Sequence, residues 1–363
     1  MIVSFTGIQR QYAQLREQVL HTTDQVLLSG QLMNGPHTRA FETWLAHKNH
    51  SRYAVACHSG TNALEIVAAY WARQLAVPQP TVIMPSVSYV ATANAFVRAG
   101  WDLHFVDVDQ YGLLDTSKIP HNLYYQAVVL VGLYGTDVAQ CRSSGAWGNW
   151  IHNNKIIIED AAQHWLANNC QRIGHGAAIS FDPMKNLACY GNGGAVVTGI
   201  KDLAEFARDY QDNGKHNGHA NTGSNSRMSE LDCATMMIKT TYLDQWQIRR
   251  KQIAAHYIER LQGRNLRCLI DQLNFDHHAF HKFVIEVDNR NLVHAQMAAV
   301  GVETKIHYQH ALPDHSAYRA YPAPDMMGAC YSLTRRCLSL PIYPELTINE
   351  IDYVVDHLLR IVN

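Results

Sequence analysis

The sequence predicts an α/β protein: a large first domain built on a mostly parallel sheet, then a smaller α+β domain at the C-terminal end. Three observations predict it. From Thr81 to Thr198 short apolar, β-branched runs alternate with turns and helical patterns. Those runs are continuously apolar rather than alternating, as in strands buried on both faces and joined by helical crossovers. After about Arg227 the texture changes to long helical periodicity.

The candidate strands of the first domain are Val82-Ile83-Met84, Leu103 to Val108, Ala127 to Leu133, Ile156-Ile157-Ile158, Ala178 to Phe181 and Ala195-Val196-Val197, each bounded by turn residues. Ahead of them, Asn62 to Trp71 places Leu64, Val67, Ala68 and Trp71 on one helical face, and Phe41, Trp44 and Leu45 mark a shorter helix. Leu231, Ala234, Ile238 and Tyr242 open a long helical stretch that continues through Ile253, Tyr257 and Leu261. Strand-like Phe283 to Val287 follows, then helix, then strand at Leu338-Ser339-Leu340. Thr347 with Glu350, ahead of Ile351, Val354, Val355 and Leu358, reads as a capping box opening the last helix. A chain of 363 residues suits two domains, and the boundary is expected inside or just after the long helical stretch, near residue 245, giving 1–245 and 246–363.

Composition narrows the function classes. With 47% hydrophobic and 17% charged residues the chain can bury a substantial core. A formal net charge of -1 carries no electrostatic footprint for nucleic acid or anionic lipid. No apolar run approaches the roughly 18 to 20 residues that span a bilayer. Met1 to Phe5 has no basic segment leading into an apolar one, so a soluble cytoplasmic protein is expected. The eight cysteines are scattered with no C-x-x-C pair, which indicates neither a disulfide framework nor a thiolate zinc site.

Three segments carry chemistry. Ser59-Gly60-Thr61-Asn62 is a small-residue turn opening into a helix, where free N–H groups and the helix dipole favour an anion; Ser59 as a plain cap and Gly60 as a plain turn residue explain it equally. Ile156-Ile157-Ile158-Glu159-Asp160 ends a buried strand on a carboxylate, where ligands of open α/β sheets collect. Taken alone, Asp160 suits a metal ligand, a helix cap or a salt-bridge partner as well as a partner for a pyridine nitrogen. Lys185 stands between the strand ending at Phe181 and the Gly191-Asn192-Gly193-Gly194 turn. There a closed cleft would lower its pKa toward imine chemistry, although most lysines are simply solvated.

The order of these parts (phosphate turn, aspartate, lysine, all at strand ends) is that of fold-type I pyridoxal-phosphate (PLP) enzymes. With them the sequence resembles the DegT-type (DegT/DnrJ/StrS) sugar aminotransferases over nearly its whole length. The resemblance is carried by Gln11-Tyr12, Leu28-Ser29-Gly30, Asn34-Gly35-Pro36 with Phe41-Glu42, Pro85-Ser86-Val87-Ser88-Tyr89-Val90-Ala91-Thr92-Ala93-Asn94-Ala95 and Phe105-Val106-Asp107-Val108-Asp109. Asn225-Ser226-Arg227-Met228-Ser229-Glu230-Leu231, His307-Tyr308 and Leu338-Ser339-Leu340-Pro341 extend it.

That resemblance implies PLP as cofactor, held by Lys185 as an internal aldimine. It implies Asp160 on the pyridinium nitrogen, Gln163 near the ring hydroxyl, Tyr89 on the ring face, and Gly60, Thr61 and Ser180 on the phosphate. Asn225 would reach the phosphate of the neighbouring subunit, making the active unit a homodimer with composite sites. The implied reaction moves an amino group from an amino acid, glutamate foremost, to the keto group of a nucleotide-linked sugar. The alternatives are a PLP-dependent sugar dehydratase, whose relatives replace the lysine with histidine, and a non-catalytic regulatory family member; Lys185 argues against the first, and Lys185, Asp160 and Gln163 together against the second. Asn192, Trp165 and Asp182 depart from the family pattern at positions where substrate would be felt. His277-His278-Ala279-Phe280-His281 invites a metal reading, but without cysteine it suits surface or interface histidines, and no metal is expected. His310 and His315 fall in a family segment at the substrate end of the small domain.

Overall fold

The computed structural model describes residues 1–75, 77–325 and 327–362. Two helices, α1 (Ile8–Ser29) and α2 (Pro36–Lys48), precede β1 (Tyr53–Cys57) and α3 (Gly60–Leu75). Then come β2 (Thr81–Pro85), α4 (Val90–Arg98), β3 (Asp102–Val106), β4 (Ala127–Val131), α5 (Gly145–His152), β5 (Ile156–Asp160), β6 (Gly176–Ser180), β7 (Gly194–Thr198) and α6 (Lys201–Tyr210). The strands form one seven-stranded sheet in the order β1-β7-β6-β5-β4-β2-β3. Strands β2 to β6 pair in parallel, and β7 runs antiparallel to both of its neighbours.

All six strands read from the sequence are present. The element without a strand signal was β1, because Tyr53-Ala54-Val55-Ala56-Cys57 has one β-branched residue among five. It is a strand because β7 supplies its ladder, Tyr53 facing Thr198 through Cys57 facing Gly194. Helix α1 was likewise silent: its buried residues are the widely spaced Gln11, Leu15, Val19 and Val26, while Leu27 and Leu28 are exposed.

The second half holds α7 (Glu230–Thr240), α8 (Leu243–Leu261), β8 (Arg267–Cys268), β9 (Phe283–Glu286), α9 (Arg290–Ala299), α10 (Gly328–Arg336), β10 (Cys337–Leu340) and α11 (Ile348–Val362). Its sheet is antiparallel, ordered β10-β9-β8. The helical stretch expected to run unbroken from Leu231 to Leu261 is two helices. Thr240 and Thr241 turn their hydroxyls back onto the carbonyls of Met237 and Ile238 (2.7 and 2.8 Å), competing with helical continuation at the break. The capping box of α11 forms as its sequence indicates: the Glu350 carboxylate accepts from the Thr347 N–H (2.9 Å) and the Thr347 hydroxyl accepts from the Glu350 N–H (3.2 Å).

Distant segments are locked together by buried carboxylates. Glu230, first in α7, accepts from the backbone N–H groups of Gly35, His37 and Thr38, closing the open N-terminus of α2. Asp107 accepts from Val108 and Cys330 N–H (2.8 and 2.9 Å) and from Lys118 Nζ (2.8 Å), tying the end of β3 to α10. No helix among the described residues is long and apolar enough to cross a membrane.

Candidate active site

Register brings the chemistry together. Asp160, last in β5, pairs with Ala178 of β6; Ser180, last in β6, pairs with Gly194, which also pairs with Cys57 at the end of β1. The ends of β1, β5 and β6 therefore open onto one cleft of ≈ 410 Å³. Its wall includes Gly60, Thr61, Tyr89, Asp160, Gln163, Ser180 and Lys185. Seven of the eight residues singled out from the sequence meet there. The eighth, Asn225, is exposed and lies outside this wall, in a segment held beside β1 by the Ser226 carbonyl, which accepts from His58 N–H (2.6 Å).

Strand alternation divides the two acids of β5 between two tasks. Glu159 points away from the cleft into a buried network. It accepts from Arg172 (3.0 Å) and from the N–H groups of Ile173 and Gly174, with His164 at 3.4 Å. Burial alone would raise its pKa, but Arg172, His164 and the backbone donors outweigh burial and hold it at about 2. This ionised knot fixes the loop that follows β5. Asp160 faces the cleft, with Oδ2 accepting from the Thr92 hydroxyl (2.6 Å) and Oδ1 from Ala162 N–H (3.2 Å). Thr92 is in turn joined to Ser88 (2.7 Å).

The turn before α3 caps its helix and leaves first-turn N–H groups open. Ser59 caps α3, its hydroxyl accepting from Asn62 N–H (3.2 Å), while Gly60 and Thr61 present first-turn N–H groups that have no intrahelical partner. A Cβ on Gly60 would stand 2.6 Å from the Ser180 Cβ, and one on Gly194 would stand 2.2 Å from the Ser59 carbonyl carbon. The glycines keep this corner open where two strands and a helix meet.

Lys185 sits half-buried at the cleft floor, its N–H donating to the Asp182 carbonyl (2.8 Å). Burial depresses its pKa, only partly opposed by Asp160 and Asp182. The neutral amine is thus more available than on an ordinary lysine.

The opposite wall comes from residues the sequence left without roles. Gln163 links the two walls: its Oε1 accepts from Tyr134 N–H (2.8 Å) and its Nε2 donates to the Tyr308 hydroxyl (3.3 Å). Tyr308 also packs 5.9 Å, ring to ring, from Tyr89, which is 56% exposed at the mouth. His307 contacts the Ser339 hydroxyl (2.8 Å), and burial takes its pKa down to about 3. His281 and Lys282 complete the wall.

Two expectations change. Trp165 does not reach the cleft; it is 2% exposed and packs edge-on against Trp44 and Phe181, because Gln163 takes the inward position after Asp160. Of the three departures, Asp182 and Asn192 do line the cleft. Nor are His278 and His281 surface residues: both are buried. Among the described residues no three His, Cys, Asp or Glu side chains are grouped to hold a metal ion.

The family model of the DegT/DnrJ/EryC1/StrS aminotransferases matches residues 13–359. The chain belongs to this family. It is 32% identical to the dTDP-3-amino-3,4,6-trideoxy-alpha-D-glucose transaminase of Streptomyces venezuelae, over 98% of this chain and 94% of that one. It is 30% identical to the UDP-2-acetamido-2-deoxy-3-oxo-D-glucuronate aminotransferase of Pseudomonas aeruginosa, over 97% and 98%. Its fold matches the crystal structure of S. venezuelae DesV in complex with a ketimine intermediate, with a TM-score of 0.90 at 30% identity over 99% and 98% of the chains. As a member, this aminotransferase is a PLP enzyme of fold-type I architecture. Its cleft fits that cofactor: a glycine-lined corner with open N–H groups for a phosphate, a carboxylate held by two donors, and a low-pKa lysine between them.

Proposed function

We propose that this aminotransferase moves an amino group from an amino acid, glutamate, to the keto group of a nucleotide-linked sugar. The reading is carried by Lys185 and Asp160 lining one cleft whose mouth stays open beside Tyr89. The names of the relatives from Streptomyces and Pseudomonas support the sugar nucleotide.

Gly60, Thr61 and Ser180 would hold the PLP phosphate, Asp160 the ring nitrogen, Gln163 the ring hydroxyl and Tyr89 the ring face. When bound, the cofactor supplies the carbonyl carbon that receives the amino group and an electron-poor ring that stabilises negative charge on the substrate carbon. Asp160 would keep a proton on the ring nitrogen by its charge, and Thr92 keeps that carboxylate aimed. Lys185 Nζ, its basicity tuned by burial, would move the proton between the substrate carbon and the cofactor's carbonyl carbon. Gln163 ties the wall that carries Asp160 to Tyr308, so the two faces of the cleft keep their spacing.

Asn225 completes the site from a second copy of the chain. It is exposed in a segment held against β1 rather than packed into its own cleft, and an amide there suits a phosphate of a partner subunit. Mixing Lys185→Ala chains with Asn225→Asp chains should restore activity, since one site of each mixed dimer carries neither change. Subunit exchange without recovery would refute the composite site.

A screen of amino donors against keto-sugar nucleotides, read by the mass of the product, tests the reaction. Glutamate-dependent conversion of a keto group to an amine is expected. Loss of water from the sugar without nitrogen gain, or no turnover with any sugar nucleotide, would contradict it.

A further inference from the structure

Four cationic side chains are buried among the described residues: Lys239, Arg250, Lys282 and Arg290. Three have acceptors. Lys239 donates to the Ala188 carbonyl (2.6 Å) and lies 3.7 Å over the Tyr190 ring. Arg250 donates to the Phe280 and Ile342 carbonyls (3.3 and 2.8 Å), and Arg290 to the Cys337 carbonyl (3.0 Å). Among the described residues the Lys282 ammonium has no hydrogen-bond acceptor and no ion-pair partner; its one aromatic contact is the Phe5 ring at 5.0 Å.

An uncompensated buried cation is expensive, and Lys282 is not free to swing away. Its own N–H donates to the Tyr134 carbonyl (3.0 Å), and Ala279 N–H to the Gly135 carbonyl (2.8 Å). Asn186, beside Lys185, donates to the Ala279 carbonyl (2.6 Å), and its Oδ1 lies 3.3 Å from His281 Nδ1. The segment is therefore fastened to the cofactor-lysine segment, and its side chain lines the same cleft as Lys185, His281 and His307. The charged groups that act on it are the basic Lys185 and Arg250 and the acidic Asp182. Burial, then Lys185 and Arg250, push its pKa well down, with Asp182 opposing them. Glu345 lines a small cavity of ≈ 30 Å³ that Lys282 also borders, but the two form no ion pair.

We propose that Lys282 is the receptor for an anionic substituent, a carboxylate or phosphate, on a substrate of this cleft. This rests on the aminotransferase reading above and adds a specificity residue to it. Two sources carry that chemistry: the carboxylate of the amino donor and an acidic group on the acceptor sugar. A charge-assisted hydrogen bond in this cleft discriminates against a neutral analogue, because that analogue leaves the cation without a partner.

The test uses the PLP-loaded enzyme with Lys282→Met, Lys282→Gln and Lys282→Arg, each first checked for the absorption of lysine-bound cofactor. Two arms follow: half-saturation by L-glutamate in single-turnover amination of the cofactor, and competitive binding of UDP-glucuronate against UDP-glucose. A rise of about tenfold or more in the glutamate arm, recovered in Lys282→Arg, assigns the donor carboxylate. Loss of a preference for UDP-glucuronate, also recovered in Lys282→Arg, assigns an acidic sugar. If both neutral variants keep the cofactor absorption and neither arm moves, Lys282 is a structural residue bridged toward Glu345 and the proposal falls. Absence of cofactor absorption in the unaltered enzyme would instead overturn the aminotransferase reading.

Discussion

On the large-sheet wall of the cleft the inward-facing acid is held in place: Asp160 by Thr92 and Ala162, above a Glu159 knot that fixes the loop behind it. On the small-sheet wall the inward-facing cation, Lys282, is fastened by its backbone and left open at its charge. The first arrangement suits a group that stays bound through every turnover, and rigid strand ends make it precise. The second suits molecules that come and go, because an unpaired charge is satisfied only by what binds. One cleft thus combines a preorganised half and a half completed by its ligand.

Removing the lysine of the preorganised wall should have the largest effect. Lys185→Ala should reduce turnover to background and remove the absorption of lysine-bound cofactor, since one amine is both anchor and proton carrier. Absorption surviving in that variant would show that the walls have been assigned wrongly, with Lys282 the obvious substitute.

Asp160→Asn keeps the shape and removes the charge, and the expected loss is on the order of 10²-fold or more in rate. Near-normal turnover with glutamate would reduce Asp160 to a structural part.

Glu159→Gln separates stability from chemistry on the same strand. A carboxylate held at about 2 when folded contributes about 3 kcal/mol at neutral pH. Because its folded pKa is depressed, that contribution is fully present above the ordinary glutamate pKa of about 4.5 and drains away as pH falls toward about 2. Urea unfolding should show the gap between the two proteins at pH 7 and shrink it to about half by pH 3. A gap independent of pH would mean the knot is held by shape rather than charge.

Thr92→Val is the mildest change. It removes one hydrogen bond to the Asp160 carboxylate, for an expected loss of about tenfold in rate with the cofactor still bound. An unchanged rate would show that Ala162 N–H alone aims the acid.

The preorganised wall was also the legible one. Gly60, Asp160 and Ser180 sit at the end of a helix or strand and Lys185 in the loop that follows β6, so local sequence dictates both element and position. The contacts between elements are assembled across long chain separations: on the first wall Thr92 meets Asp160, and on the second Tyr308 meets Gln163, only through the fold, and no local pattern marks Lys282 as different from a solvated lysine. Trp165 shows the reverse error. Its nearness to Asp160 in the chain suggested contact with substrate, yet the turn after β5 sends Gln163 into the cleft and Trp165 into the core. The helix break at Thr240-Thr241 was missed because apolar periodicity continues across it while side-chain hydroxyls decide it.

The contrast between the two lysines of one cleft can be measured chemically. Borohydride reduction of the PLP-loaded enzyme fixes the cofactor to whichever lysine holds it, and peptide mass mapping then reads the position. The cofactor mass is expected on the peptide containing Lys185, with the Lys282 peptide unmodified. The cofactor mass on the Lys282 peptide, or on neither, would contradict the assignment of the two walls.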